Sequence, residues 1–121
     1  MTTNHTPGTW RAGKTGESVV SDQPLPGYDA KGGHDHVEYY GGYLIAESIW
    51  RAEDRALIAA APELLAELEY AHAILTVLLN LVPEDRRHEM AERLAKIHDG
   101  EGAVRSHERR AAIARAKGEQ A

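Results

Sequence analysis

Glu63-Leu64-Leu65-Ala66-Glu67-Leu68-Glu69-Tyr70-Ala71-His72-Ala73-Ile74-Leu75-Thr76-Val77-Leu78-Leu79-Asn80-Leu81 is the stretch that decides the fold. Leu64, Leu65, Leu68, Ala71, Leu75, Leu78 and Leu79 recur at three-to-four spacing, the period of a helix with one apolar stripe. Ile74, Val77 and Leu81 add apolar surface around that stripe, so the second half of the helix is apolar nearly all round. Such a helix must be covered on every side, and the rest of a 121-residue chain offers little to cover it with. The reading therefore predicts a homo-oligomer built on the 63–82 helix. The most apolar run, Ala73 to Val82, is far shorter than the about 20 residues of a membrane span, so no membrane partner is expected.

Moving outward, Pro62 suits the first position of this helix, where its missing N–H costs nothing. Before it, Ile49, Ala52, Ala56, Leu57, Ala59 and Ala60 recur at helical spacing behind Ser48, a good N-cap, and predict a shorter preceding helix. After it, Pro83 breaks the chain, and Glu84 and Asp85 favour the positive end of a new helix. Met90, Leu94 and Ile97 mark the stripe of that helix until Gly100 ends it. From Ala103 to Lys117 only Val104, Ala111 and Ile113 offer apolar anchors, which predicts a tail helix held by propensity more than by packing.

The first fifty residues hold eight of the eleven glycines together with Pro7, Pro24 and Pro26, and their short apolar runs alternate with turn residues. Thr9 to Ala12 and Ser18 to Ser21 read as strands flanking Gly13-Lys14-Thr15-Gly16, whose two glycines can take the positive φ angles of a hairpin. Tyr43 to Glu47, following Gly41-Gly42, reads as a third strand. Asp22 to Gly33 carries too many prolines and glycines for regular structure and reads as a long loop. The expected architecture is α+β: a small antiparallel N-terminal sheet of about three strands, then a helical hairpin and one or two further helices. Residues 1–121 read as one domain, with a strand- and loop-rich half at 1–48, a helical half at 49–100 and a basic tail at 101–121.

Composition narrows the chemistry. Cysteine is absent, which excludes disulfides, thiolate metal sites and cysteine nucleophiles. Met1 to Asn4 is polar and Pro7-Gly8 follows at once, so no secretory leader is expected and the cytoplasm is the natural compartment. The net charge of −5 is unevenly spread. Residues 103–121 carry five Lys+Arg against two Asp+Glu, while residues 1–102 are acidic, which argues against extended DNA binding. Phenylalanine is missing, so the core is left to aliphatic residues with a few Tyr and Trp.

Two stretches are familiar: His5-Thr6-Pro7-Gly8-Thr9-Trp10, and Leu57-Ile58-Ala59-Ala60-Ala61-Pro62-Glu63-Leu64-Leu65. Together they resemble a family of small phage and prophage proteins. That family usually opens His-Thr-Pro-Gly-Pro-Trp, so Thr9 replaces a proline here. Its helix usually reads Asn-Ala-Arg-Leu-Ile-Ala-Ala-Ala-Pro-Glu-Leu-Leu, matched from Leu57 to Leu65, with Asp54-Arg55-Ala56 standing where Asn-Ala-Arg is usual. The resemblance implies a phage genome, a strand-rich N-terminal half, a helical hairpin and the host cell cytoplasm, and it brings no catalytic residues.

Three clusters carry candidate chemistry. Tyr39-Tyr40-Gly41-Gly42-Tyr43 could form an aromatic platform framed by Trp10 and Trp50, against the plainer reading of strand tyrosines packing on a sheet. Arg105, Arg109 and Arg110, with Arg115 and Lys117 beyond, could meet phosphates, against the plainer reading of a solvated basic helix end that complements the acidic Glu84 to Glu92 stretch. Arg55 joins these as a candidate anion contact. His34-Asp35-His36, with Glu38 and His5 as further donors, could bind a divalent metal, but structural zinc takes four ligands and spacing fixes only two. His72 on the long helix has no visible partner for general-base work. No phosphate loop, nucleophile elbow or zinc helix is present, and Gly13-Lys14-Thr15-Gly16 lacks the spacing of a P-loop.

The leading expectation is thus a non-enzymatic phage accessory protein, without a cofactor, that binds and modulates or inhibits a host protein, anti-defence included. The alternative is an oligomer that binds a nucleotide or another small ligand through Tyr39, Tyr40, Arg55 or the C-terminal arginines. A metal-dependent hydrolase built on His34 and His36 ranks third.

Overall fold

The computed structural model describes residues 5–27, 37–97 and 104–119. Three strands come first: β1 (Trp10–Ala12), β2 (Val19–Ser21) and, after a one-turn helix α1 (Val37–Tyr40), β3 (Tyr43–Ala46). Helix α2 (Ala52–Asn80) follows, then a 3-10 turn at Glu84–Arg86 that leads into α3 (Arg87–Ala95), and finally α4 (Ser106–Ala116). The fold is α+β, an N-terminal antiparallel sheet followed by helices, as the sequence predicts.

The sheet is ordered β1-β2-β3, with both pairs antiparallel. Arg11 lies opposite Val20, which in turn lies opposite Leu44. Between Val19 and Val20 the register slips, because Val19 faces Ala46, leaving Ile45 opposite the step as a bulge. The central strand is the core: Ser18, Val19, Val20 and Ser21 are wholly buried. Two β-branched valines suit a strand covered on both faces. The two buried serines keep their hydroxyls satisfied, Ser18 donating to the Thr15 carbonyl at 2.6 Å and Ser21 to the Pro7 carbonyl at 2.6 Å.

The hairpin loop divides its labour differently from expectation. Gly16 does take a positive φ of 68°, but the second left-handed residue is Glu17 at 48°. Gly13 is needed for space. A Cβ there would lie 2.1 Å from Ser18 Oγ and 2.8 Å from the Tyr40 carbonyl oxygen, and one on Gly42 would lie 2.8 Å from Val20 Cγ2. Both glycines let neighbouring backbone close over the central strand.

Three local expectations are corrected. Pro62 lies inside α2 rather than starting a helix. Ala59-Ala60-Ala61 before it and Leu64-Leu65 after it are strong helix formers, and they carry the helix through one lost hydrogen bond. Ser48 is not an N-cap: it sits outside the helix with φ 64°, and its N–H bonds to the Gly16 carbonyl at 2.9 Å. Tyr39 and Tyr40 lie on α1 instead of a strand, because Gly41 N–H closes the turn onto the Val37 carbonyl at 2.8 Å and Gly41 ends it at φ 85°.

The chain divides at Leu64/Leu65 into two compact units. The first holds the sheet, α1 and the start of α2. In the second, the face of α2 carrying Leu65, Leu68, Glu69, His72 and Leu79 is half-buried. Helix α4 is tied to that face by Arg109 Nε donating to His72 Nδ1 at 3.3 Å, and by Lys117 Nζ at 3.5 Å from Glu69 Oε2. Lys117 of the basic tail thus lies near two carboxylates, those of Glu69 and, at 3.8 Å, Glu119. None of α2, α3 or α4 contains a fully buried residue among those described. No single helix among the described residues is long and apolar enough to cross a membrane.

Candidate protein-interaction site

The opening motif explains itself as a clasp. Trp10 Nε1 donates to the Thr6 carbonyl at 3.0 Å, and the His5 ring meets the indole edge-to-face with centroids 5.8 Å apart. Pro7 offers its carbonyl to buried Ser21. Gly8 turns at φ 93°, where a Cβ would fall 2.3 Å from Asp22 Oδ1, and that same oxygen accepts from Thr9 N–H at 3.0 Å. Pro7 and Thr9 thus bind the motif to the end of β2, while Trp10 closes on Thr6 and His5 within it. Trp10, a candidate platform residue, is half-buried in this clasp.

At the other end of β2, three segments meet. The β1–β2 loop lies between α1 and the connector from Glu47 to Arg51. On one side Lys14 N–H bonds to the Tyr40 carbonyl at 2.8 Å, Thr15 Oγ1 donates to the Tyr39 carbonyl at 2.8 Å, and the Tyr40 ring packs where a Gly16 side chain would stand. Arg11 adds a bond to the Gly41 carbonyl at 2.7 Å. On the other side Ile49 N–H bonds to the Glu17 carbonyl at 3.0 Å, one residue after the Ser48 bond to Gly16. Arg55, reaching back from the first turn of α2, donates through one nitrogen to the Ile49 carbonyl at 2.6 Å and the Trp50 carbonyl at 3.2 Å. That nitrogen also lies 4.0 Å from a Glu17 carboxylate oxygen.

The connector backbone is therefore fixed from both directions, and what it presents is Trp50, 82% exposed. Tyr39 is presented from α1 at 60% exposure, its ring edge-on to Tyr40 at 4.8 Å. Tyr40 itself is buried and donates its hydroxyl to the Glu47 carboxylate. That hydrogen bond, then burial, then the charges of Glu47 and Tyr39 hold its phenol above the ordinary tyrosine value. One end of the sheet thus displays two large aromatics on backbone that its own hydrogen bonds immobilise, with Lys14, Glu17, Glu47 and Arg51 exposed around them. Chemically this can grip a partner surface with little ordering cost.

The remaining candidates fall elsewhere. Tyr43 opens β3, half-buried opposite Ser21. Arg55 is committed to backbone carbonyls, as above. Arg109 gives its guanidinium to the Val104 carbonyl at 2.6 Å, to Ser106 Oγ at 3.4 Å and to His72. Arg105 and Arg110 are exposed, Arg105 in a left-handed conformation just before α4. His34 and His36 lie outside the described residues, and among the described residues no group of three or more His, Asp or Glu is placed to hold a metal ion. The sequence reading gave Trp50 only a framing role. Its signal was there: a tryptophan where a strand gives way to a helix.

No curated protein and no solved structure matches the chain. A family match runs well past the two motifs, through the helical half and the basic tail, and this chain belongs to the phage protein family described as Salmonella phage P22 protein Y8K6, matched over residues 1–120.

Proposed function

We propose that this chain is a phage accessory protein that acts by binding a host protein, and that Trp50 and Tyr39 form the centre of the contact. The observation that carries the reading is the pinned connector. A tryptophan left 82% exposed on a backbone held by Ser48, Ile49 and Arg55 does no folding work that would explain its size. Tryptophan, tyrosine and arginine are the side chains that dominate binding energy at protein interfaces, and Arg51 lies beside Trp50. Modulation or inhibition of the bound protein is the proposed consequence, with a host defence protein as the target class. A nucleotide-binding reading has less support, since the Tyr40 ring is packed against Gly16 and Arg109 is spent within its own unit.

Affinity capture from host lysate with the tagged full chain tests this. One host protein retained in stoichiometric amount by the wild type, and reduced about tenfold or more by Trp50→Ala with unchanged circular dichroism, is the expected result. Repeated capture of nothing specific, or capture that ignores both Trp50→Ala and Tyr39→Ala, would sink the proposal.

A further inference from the structure

A second surface, independent of the first, lies on the open side of α2. Tyr70, Ile74, Val77 and Leu81 follow one another at spacings of four, three and four, the seam spacing of paired helices. They are 56%, 58%, 60% and 73% exposed, and Leu78 beside them is 54% exposed. The covered side of the same helix, Leu65, Leu68, His72 and Leu79, is opposite, so α4 already occupies one face and leaves this one bare. Ala71 and Ala73 flank the seam with small side chains that permit close approach. From Tyr70 to Pro83 there is no Asp, Glu, Lys or Arg.

We propose that a second copy of this chain covers this face, the two α2 helices packing antiparallel through the Tyr70-Ile74-Val77-Leu81 seam. The occupant must be an uncharged apolar helix face of matching length, since any charge set against the seam would be desolvated without a partner. The chain itself supplies one, about 15 Å long from Tyr70 to the end of α2, with Leu81 in the turn that follows at once. A two-fold axis between Ile74 and Val77 sets each Ile74 on the partner's Val77 and each Tyr70 on the partner's Leu81, large side chain against aliphatic along the whole seam. The parallel alternative would put the two Glu67 side chains, one turn before Tyr70 on the same stripe, level with each other as like charges. The antiparallel arrangement carries each Glu67 past the end of the partner's helix at Asn80, level with the turn that starts at Glu84 and carries Arg86. Five large apolar side chains more than half exposed supply much of the about 800 Å² that a standard interface takes from each partner.

The natural absence of cysteine makes the test clean. Sedimentation velocity of the full chain at micromolar concentration should show a dimer, and Ile74→Asp should raise its dissociation constant about 100-fold or more by burying a charge in each copy. Val77→Lys serves as the second variant should the first lose helical content. Tyr70→Cys and Leu81→Cys proteins, mixed and oxidised, should form the mixed 70–81 disulfide in preference to 70–70 and 81–81. A monomeric wild type, a dimer indifferent to both seam variants, or crosslinks dominated by the like pairs would each overturn the proposal. Dimerisation is read on purified protein, so failure here is distinguishable from failure of host-protein capture.

Discussion

At the scale of single residues, the N-terminal unit is governed by close approach. Gly13 and Gly42 have no room for a Cβ, and Ser18 and Ser21 carry buried hydroxyls that must find carbonyls. Tyr40 joins these by placing a phenol against the Glu47 carboxylate. Because the folded protein raises the Tyr40 pKa above its unfolded value, the native state keeps this proton longer than the unfolded chain does. The associated stability is fully present below the unfolded value of about 10 and is lost as pH rises through the higher folded value. An alkaline titration followed by phenolate absorbance should show one of the five tyrosines ionising last, together with loss of native circular dichroism. Tyr40→Phe should remove that last step; a variant that titrates like the wild type would refute the assignment.

At the scale of elements, α2 is the surprise, a helix of 29 residues running through Pro62. The proline ring removes the N–H that the Ile58 carbonyl would accept, and a proline inside a helix costs about 3 kcal/mol relative to alanine. Part of that cost is offset because proline also restricts the unfolded chain. Pro62→Ala should therefore stabilise the protein by about 1–2 kcal/mol in denaturant unfolding, with helical content unchanged. A loss of stability would mean that the ring packs usefully where it stands. The sequence placed a boundary at Pro62 because proline usually marks one, and local rules give no way to see that alanines and leucines on both sides outweigh it. The same limit hid α1: Tyr39 and Tyr40 precede a strand and invite the same reading, whereas the Gly41–Val37 bond closes a helical turn that the Lys14–Tyr40 and Thr15–Tyr39 bonds hold from across the chain.

At the scale of the whole molecule, α2, α3 and α4 contain no buried residue among those described, while the central strand is wholly enclosed. Stability in the helical unit should then depend on association through the α2 seam. By mass action, the melting temperature should rise with protein concentration, and Ile74→Asp should flatten that dependence. A melting temperature independent of concentration in the wild type would show that the helical unit is stable alone. The two proposed surfaces, Trp50 in one unit and the seam in the other, are carried by different parts of the chain and can be disabled separately.

The sequence by itself determined the α+β class, the three strands to within a residue or two, the hairpin, the long apolar helix and the phage family resemblance. All but the resemblance, which rests on two short motifs, follow from periodicity and turn residues, which are local. Only the tertiary structure decided that Gly13 serves space rather than torsion, that Ser48 pairs with the hairpin loop rather than capping a helix, and that Arg55 holds its own connector. It alone decided that Trp10 is half-buried while Trp50 stands in solvent. Each of these depends on which distant backbone atoms come within hydrogen-bond reach, and two tryptophans with the same chemistry part company only when the chain around them is packed.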